Sequence, residues 1–232
     1  MSKLRRERPA MHRMCCGLGS ILLILTSTWK EPGAAAIVAN VVDDIGAAIA
    51  HTVVYADPKS GTAPALGVEQ AIIDQVDKLF TPFVSAVRVG TRVIFPNQDN
   101  IKHHVYSFSR PKQFELPLYA GRAAPPVLFD KEGAIVMGCN IHDWMLAHVL
   151  VVKTPYFSVT DKNGQAHLNN VPSGDYTVRV WHPGMKRKPK TKPQTVSTSA
   201  GNQELIFTIR LKAKRKWWRD KPYDAKIKYY AK

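Results

Sequence analysis

The chain carries the stretch Gly138-Cys-Asn-Ile-His-Asp-Trp-Met145 between two short apolar runs, Ala134–Met137 and Ala147–Val152. The stretch holds a cysteine, with His142 three residues after it and Met145 three residues further. Short apolar runs bounded by turn residues are typical of β-strands, and the polar residues between them are typical of a loop. The stretch therefore predicts a loop that presents sulfur and nitrogen donors between two strands.

The donors in this loop form an unusual combination. A thiolate, an imidazole and a thioether within seven residues suit copper, because soft sulfur ligands beside imidazole favour that metal. A trigonal site of one cysteine and two histidines, with a weak axial methionine, is the blue-copper electron-transfer site. It needs a second histidine, and Asn97-Gln-Asp-Asn-Ile-Lys-His-His-Val-Tyr106 contains a pair. Since adjacent strand residues point to opposite faces, only one of His103 and His104 can face the metal.

Short β-type runs recur beyond the first 36 residues, and helix signals are nearly absent. Before the loop they are Ile72–Val76, Phe83–Val89, Arg92–Phe95, Val105–Phe108 and Val127–Phe129. Beyond Thr154-Pro155 they are Tyr156–Thr160, Ala166–Leu168, Tyr176–Trp181 and Glu204–Leu211. Arg110–Pro126 contains four prolines, so we expect a long irregular connection there. Many short strands separated by turns predict an all-β sandwich or barrel.

The first 36 residues have the order of a secretory signal peptide. Five basic residues within the first fourteen precede the apolar run Cys15–Leu25 and the small-residue segment Gly33-Ala-Ala-Ala36. The apolar run is shorter than the roughly 20 residues that a spanning helix needs, so we expect cleavage after Ala36 and export to the periplasm, with an uncleaved anchor as the alternative. Cys139 is then the one cysteine left, and a lone cysteine in an exported protein is a liability or a reactive or liganding thiol.

The chain is strongly basic, with a formal net charge of +15 from 33 Lys and Arg against 18 Asp and Glu. The leader holds six of the basic and two of the acidic residues, which leaves 27 against 16, or +11. Such a charge favours an anionic partner. The basic, aromatic tail over 212–232 could dock a redox partner with an acidic face or make peripheral contact with a membrane, and a disordered, solubilising tail is the alternative. Nucleic acid is not expected as a partner, because an exported protein rarely meets it.

Motifs between residues 72 and 152 have the order of a known family. They are Val87-Arg-Val-Gly-Thr-Arg-Val-Ile-Phe-Pro-Asn-Gln-Asp99, then His103-His-Val105, then Cys139-x-x-His142-x-x-Met145. Together they resemble the cupredoxins, the family of plastocyanin, pseudoazurin and amicyanin. The resemblance implies a Greek-key β-sandwich with one type 1 copper ion. Because the first ligand in cupredoxins is commonly followed by Asn-Val, it also implies His103, Cys139, His142 and Met145 as ligands, with His104 as the alternative to His103.

Two further sets of motifs carry resemblances. The stretches His103-His-Val-Tyr-Ser-Phe108, Phe114-Glu-Leu-Pro-Leu-Tyr119 and 138–145 are similar to a bacterial family labelled methylamine utilisation proteins. Val159-Thr-Asp-Lys-Asn-Gly164 and Leu168-Asn-Asn-Val-Pro-Ser-Gly-Asp-Tyr-Thr-Val-Arg-Val180 resemble the carboxypeptidase regulatory-like, or transthyretin-like, sandwich. Ile37–Tyr55, with the turn Asp43-Asp-Ile-Gly46, looks like the opening hairpin of that module.

These patterns predict an all-β chain with a cupredoxin Greek-key sandwich and a second small β-sandwich. The predicted organisation is a signal peptide over 1–36, opening strands of the regulatory-like sandwich over 37–63, a cupredoxin domain over 64–153, the regulatory-like sandwich over 154–211 and the basic aromatic tail over 212–232. A cupredoxin inserted within the second sandwich explains both ends of the chain, and two sequential domains would also fit.

The leading functional hypothesis is a periplasmic one-electron carrier that cycles one type 1 copper ion, with the methylamine label linking it to amine oxidation. The alternatives are a copper-binding or delivery protein, and a β-sandwich interaction module with a vestigial metal site. An oxidase or reductase needs an additional copper site, and the mature sequence has no second cysteine and no compact histidine cluster. We therefore expect that the protein is not an enzyme.

Overall fold

The structure is a computed structural model that describes residues 34–61, 69–121, 124–185 and 191–212. In these ranges the chain forms β-strands and one 3₁₀ turn, Thr198–Ala200, with no α-helix, so the all-β prediction is confirmed. None of the described segments is a helix long and apolar enough to cross a membrane. The predicted signal peptide up to residue 33 and the predicted tail beyond Lys212 lie outside the described residues.

Short strands follow one another along the described chain. In order they are β1 (Ala35–Val42), β2 (Val53–Pro58), β3 (Gln70–Ile72), β4 (Asp74–Val76), β5 (Leu79–Thr81), β6 (Val84–Arg88), β7 (Thr91–Ile94), β8 (His103–Ser109), β9 (Lys112–Tyr119), β10 (Val127–Phe129), β11 (Gly133–Gly138), β12 (Leu146–Val152), β13 (Phe157–Val159), β14 (Gln165–Val171), β15 (Asp175–Trp181), β16 (Gln194–Ser197) and β17 (Gln203–Thr208). In β1 every second residue is buried, because successive side chains of a strand point to opposite faces.

The middle of the chain forms one β-sandwich. A sheet with the strand order β6-β12-β11-β8-β9 and a sheet with the order β10-β7-β3 share one apolar core. Phe95 and Phe129 are fully buried in this core, and Cys139 and Met145 belong to it. The loop that carries the predicted metal donors is therefore anchored in the core of this sandwich.

Strand β9 corrects the expectation of an irregular connection over Arg110–Pro126. It pairs antiparallel with β8 and forms the edge of its sheet. Pro117 lies where the register shifts between His103 and Val105, and proline is compatible with such edge strands and bulges because fewer ladder hydrogen bonds are required there. Composition alone was misleading, since β9 is the second strand of a hairpin joined to β8 by residues 110–111.

Strands from both ends of the described chain form a second β-sandwich with its own apolar core. Its sheets have the orders β14-β1-β17 and β13-β2-β15-β16. Because β1 and β2 lie in different sheets, the expected opening hairpin over Ile37–Tyr55 is wrong. Residues 43–52 carry the chain from one sheet to the other, beginning with a turn in which Asp43 Oδ1 accepts the backbone N–H groups of Ile45 and Ala47. The regulatory-like assignment and the predicted domain boundaries stay predictions.

The two sandwiches meet in a third apolar cluster. Val84 of β6 and Leu150 of β12 pack there with Val53 of β2, and Phe83 lies against them. The ring of His148 contacts Phe83 edge-on, with 5.2 Å between the ring centroids. This cluster packs against β6 and β12, and β12 follows the predicted metal loop.

Candidate metal centre

The loop over residues 139–145 connects β11 to β12, which are antiparallel neighbours. The backbone N–H of Cys139 donates to the carbonyl of Met145 at 3.2 Å, and the N–H of Met145 donates to the carbonyl of His142 at 2.9 Å. These two bonds close the loop upon itself. The donor side chains of the loop therefore keep their relative positions through local backbone contacts.

Three of the predicted donors converge at this loop. Sγ of Cys139 lies 3.9 Å from Nδ1 of His103 and 3.8 Å from Nδ1 of His142. One donor atom from each of the three residues lies within 4.8 Å of the others. His103 is 0% and Cys139 4% exposed, whereas His142 is partly exposed. The arrangement is a mostly buried cluster with one imidazole at its outer edge.

The two sulfur–nitrogen distances are near those that one metal ion requires. Metal–sulfur bonds of about 2.3 Å and metal–nitrogen bonds of about 2.0 Å place sulfur and nitrogen roughly 3.5–3.7 Å apart at tetrahedral or trigonal angles. The two observed sulfur–nitrogen distances, 3.8 and 3.9 Å, are close to this range. One thiolate with two imidazoles is a donor set that copper favours, so the residues present fit the predicted ion.

The remaining two predicted residues occupy different positions. Met145 is 1% exposed and belongs to the same core cluster as Cys139, so its thioether is also shielded from water. His104 lies outside the converging group, and its Nε2 is 2.8 Å from Oε1 of Glu115 on β9. The alternation of faces along β8 thus brings His103, and not His104, to Cys139.

Asp99 is a residue of this site that the sequence interpretation missed. Its Oδ2 lies 2.7 Å from Nε2 of His103, the nitrogen on the far side of the ring from Cys139. Burial would raise the pKa of Asp99, but hydrogen bonds from the backbone N–H of Lys78 and from His103 outweigh it and hold this pKa below its ordinary value. The available signal was an acidic residue four positions before the first histidine, just after a predicted strand.

The outer edge of the cluster is formed by His142 and Trp144. Their ring centroids are 5.4 Å apart, and Trp144 Nε1 donates to the carbonyl of Lys78 at 3.1 Å. Burial lowers the pKa of His142 below its ordinary value, and the charge of Lys78 acts in the same direction. A neutral imidazole is the form that can bind a metal, so this environment favours the liganding state.

No family model and no curated protein sequence matches the chain. Among solved structures, the chain is similar to a copper-containing nitrite reductase from Thermus scotoductus SA-01, with 27% identity over 41% of this chain and 25% of that chain, at a TM-score of 0.35. It is similar to a purple cupredoxin from Nitrosopumilus maritimus, with 25% identity over 36% of this chain and 99% of that chain, at a TM-score of 0.31. It is similar to a reduced point mutant of amicyanin, with 20% identity over 42% of this chain and 99% of that chain, at a TM-score of 0.33. Such low TM-scores carry no functional conclusion.

Proposed function

We propose that the chain is a type 1 copper protein that carries single electrons. The observation behind the proposal is the convergence of His103, Cys139 and His142, whose donor atoms lie within 4.8 Å of one another. Met145 is the proposed fourth, weaker ligand because it is buried beside Cys139 on the same closed loop. Copper held by this donor set would supply a one-electron step between Cu(I) and Cu(II).

The chain's own residues contribute a fixed and shielded environment. Cys139 and Met145 lie on a loop closed by backbone hydrogen bonds, and His103 begins a strand whose neighbours form the sandwich core. Donors held on a rigid scaffold move little when the charge at the site changes, so less reorganisation opposes electron transfer. The near-complete burial of Cys139 also keeps water and oxidants from the thiolate.

Burial favours electron transfer over copper delivery. A delivery protein passes its ion to a partner by ligand exchange, so its donors must reach the surface. In this site His103 is fully buried and Cys139 is 4% exposed, and His142 is the donor on the partly exposed side. An electron can leave through the partly exposed ring of His142, whereas transfer of the ion would require a partner's ligands to reach the buried donors.

The proposed setting rests on the sequence patterns. We place the protein in the periplasm because residues 1–36 have the signal-peptide pattern. We propose a redox partner with an acidic face because the remaining chain has a net charge of +11, from 27 basic and 16 acidic residues. The link to methylamine or related amine oxidation rests on the motif resemblance alone. No catalytic step and no nucleic acid partner is part of the proposal.

The test is to add Cu(II) to the purified full-length chain and record its visible and EPR spectra. We expect one bound copper per chain with an intense thiolate-to-copper charge-transfer band. The Cys139→Ser variant should lose that band, because the sulfur ligand is gone. Reversible one-electron voltammetry should then separate a carrier from a protein that holds Cu(I) only.

The two adjacent histidines provide a matched pair of variants. His103→Gln should change the band strongly, whereas His104→Gln should leave it intact, because only the first ring faces Cys139. A colourless protein without bound copper would refute the proposed function. An intact band in His103→Gln would contradict the ligand set.

A further inference from the structure

Asp99 connects the buried imidazole of the proposed copper site to the surrounding fold. Its Oδ2 lies 2.7 Å from Nε2 of His103, while Nδ1 of the same ring faces Sγ of Cys139 at 3.9 Å. An ionised carboxylate only accepts hydrogen bonds, so it selects the neutral imidazole that carries its proton on Nε2. That tautomer leaves the lone pair of Nδ1 directed towards the thiol and therefore available to a metal.

The carboxylate is itself held by a strained turn. The backbone N–H groups of Asp77 and Lys78 donate to Oδ1 and Oδ2 of Asp99 at 2.7 and 2.8 Å. Both turn residues have positive φ, 54° and 61°, as is typical of a two-residue hairpin loop such as the one between β4 and β5. Non-glycine residues in this conformation cost free energy and persist where surrounding contacts hold them. The backbone N–H groups of this turn therefore donate two hydrogen bonds to the carboxylate of Asp99.

Asn97 fixes the loop that carries Asp99. Its Oδ1 accepts the backbone N–H of Asp99 at 3.0 Å, and its Nδ2 donates to the carbonyls of Ile101 and Tyr119 at 2.9 and 3.0 Å. Asn97 is buried, so these hydrogen bonds are shielded from water. Asp99 is thus restrained through its backbone by Asn97 and through its carboxylate by the turn.

We propose that Asp99 is a positioning residue that sets the ring orientation, the tautomer and the reduction potential of the copper site through His103. The effect on the potential rests on the proposed function, because it requires copper at His103. A carboxylate on the outer nitrogen of a ligand imidazole fixes the ring and raises its basicity. Its negative charge also favours Cu(II) over Cu(I), so Asp99 lowers the reduction potential.

Glu115 on β9 offers a control, because it contacts His104, which points to the opposite face of β8 from His103. Oε1 of Glu115 lies 2.8 Å from Nε2 of His104, so this pair repeats the carboxylate–imidazole contact outside the metal group. Glu115→Gln therefore measures the general effect of removing one negative charge near the site. Asp99→Asn removes the same charge from the partner of the proposed ligand.

The test compares the copper affinity and the reduction potential of the full-length wild type, Asp99→Asn and Glu115→Gln. We expect Asp99→Asn to weaken Cu(II) binding relative to Cu(I) by about tenfold or more, the effect typical of removing an outer partner of a ligand. A tenfold change corresponds to a rise of about 59 mV for one electron. Glu115→Gln should leave the potential unchanged. Equal shifts in both variants, or no shift in Asp99→Asn that still binds copper, would overturn the inference.

A second measurement uses the copper-free protein and is independent of the proposed function. Nitrogen-15 NMR of the imidazoles reports which ring nitrogen carries the proton, with His103→Gln assigning the signal. We expect the Nε2–H tautomer in the wild type and a mixture of tautomers in Asp99→Ala, and an unchanged tautomer in that variant would refute the positioning role. A wild type that binds no copper would overturn the proposed function, and the tautomer result would still decide whether Asp99 positions His103.

Discussion

We predict that the fold loses stability as the pH drops below about 6.5, because of His148 on β12. This histidine lies in the region where the two sandwiches meet, with its ring edge-on to Phe83 at 5.2 Å. Burial lowers the pKa of His148 from 6.5 to about 4, since apolar surroundings disfavour the charged ring. The perturbation to make is His148→Leu, which keeps an apolar side chain at the position and removes the titrating group.

The sign and the size follow from the difference between the folded and unfolded states. The unfolded chain binds a proton on His148 as the pH falls through about 6.5, whereas the folded chain binds it near pH 4. The stabilisation is therefore fully present above pH 6.5 and is lost as the pH falls towards 4. A difference of about 2.5 pKa units, at about 1.4 kcal/mol each, corresponds to a loss of up to about 3 kcal/mol.

The assay is urea unfolding of the copper-free, full-length chain at pH 7.5 and at pH 4.5. We expect the wild type to lose about 2–3 kcal/mol more than His148→Leu between these two values, because the titration of His148 is absent from the variant. His182, whose pKa is lowered to about 4 by burial and by the charges of His51 and His148, is present in both proteins. His167→Leu is the control, since it makes the same substitution at an exposed position on β14. Identical pH dependence in the wild type and in His148→Leu would refute the reasoning.

Three further predictions concern packing and ligand binding. Phe129→Ala, at a fully buried position, should lower the free energy of unfolding in urea by about 3–5 kcal/mol, and Leu128→Ala, at a position that is 39% exposed, should cost clearly less; equal losses would contradict the core placement. Gly138→Ala should lower the free energy of unfolding by about 1–3 kcal/mol, because a Cβ there would lie 3.0 Å from Oη and 3.1 Å from Cζ of Tyr106. This loss should be smaller in a Tyr106→Leu background. Fully additive losses in the two variants would contradict the predicted contact. Copper at a hundred times its Kd should stabilise the wild type by about 2.7 kcal/mol in thermal unfolding, and Cys139→Ser should not be stabilised. A thermal stability of the wild type that does not change with copper would contradict binding to the folded state.

The all-β class and the donor loop could be predicted from the sequence because both depend on local patterns. Short apolar runs alternate with turn residues along the chain, and each run needs only its own residues to favour a strand. Cys139, His142 and Met145 lie within seven residues, so a single closed loop brings them into one region. Their spacing predicted a metal site before any long-range contact was known.

These local patterns did not predict which strands pair with one another. The prolines of β9 suggested an irregular segment, yet it is the second strand of a hairpin with β8, and Pro117 lies at the irregularity in that pairing. The apolar runs of β1 and β2 suggested a hairpin, yet each strand pairs with partners more than a hundred residues away. The long-range pairings of β1 and β2 depend on the burial of a whole sheet face, and a short window of sequence carries little information about that face.

Local sequence was enough to establish the donor types, their loop and the β-type runs that flank it. Packing of the sandwich selects which histidine joins them, because the face that β8 presents to the core brings His103 to Cys139 and turns His104 towards Glu115. It also brings Asp99 to the far side of the ligand ring, through the strained turn at Asp77 and Lys78. The contact of His103 with Cys139 spans 36 residues, and the contacts of Asp99 with the turn span 22 and 21, so they exist only once the sandwich has packed.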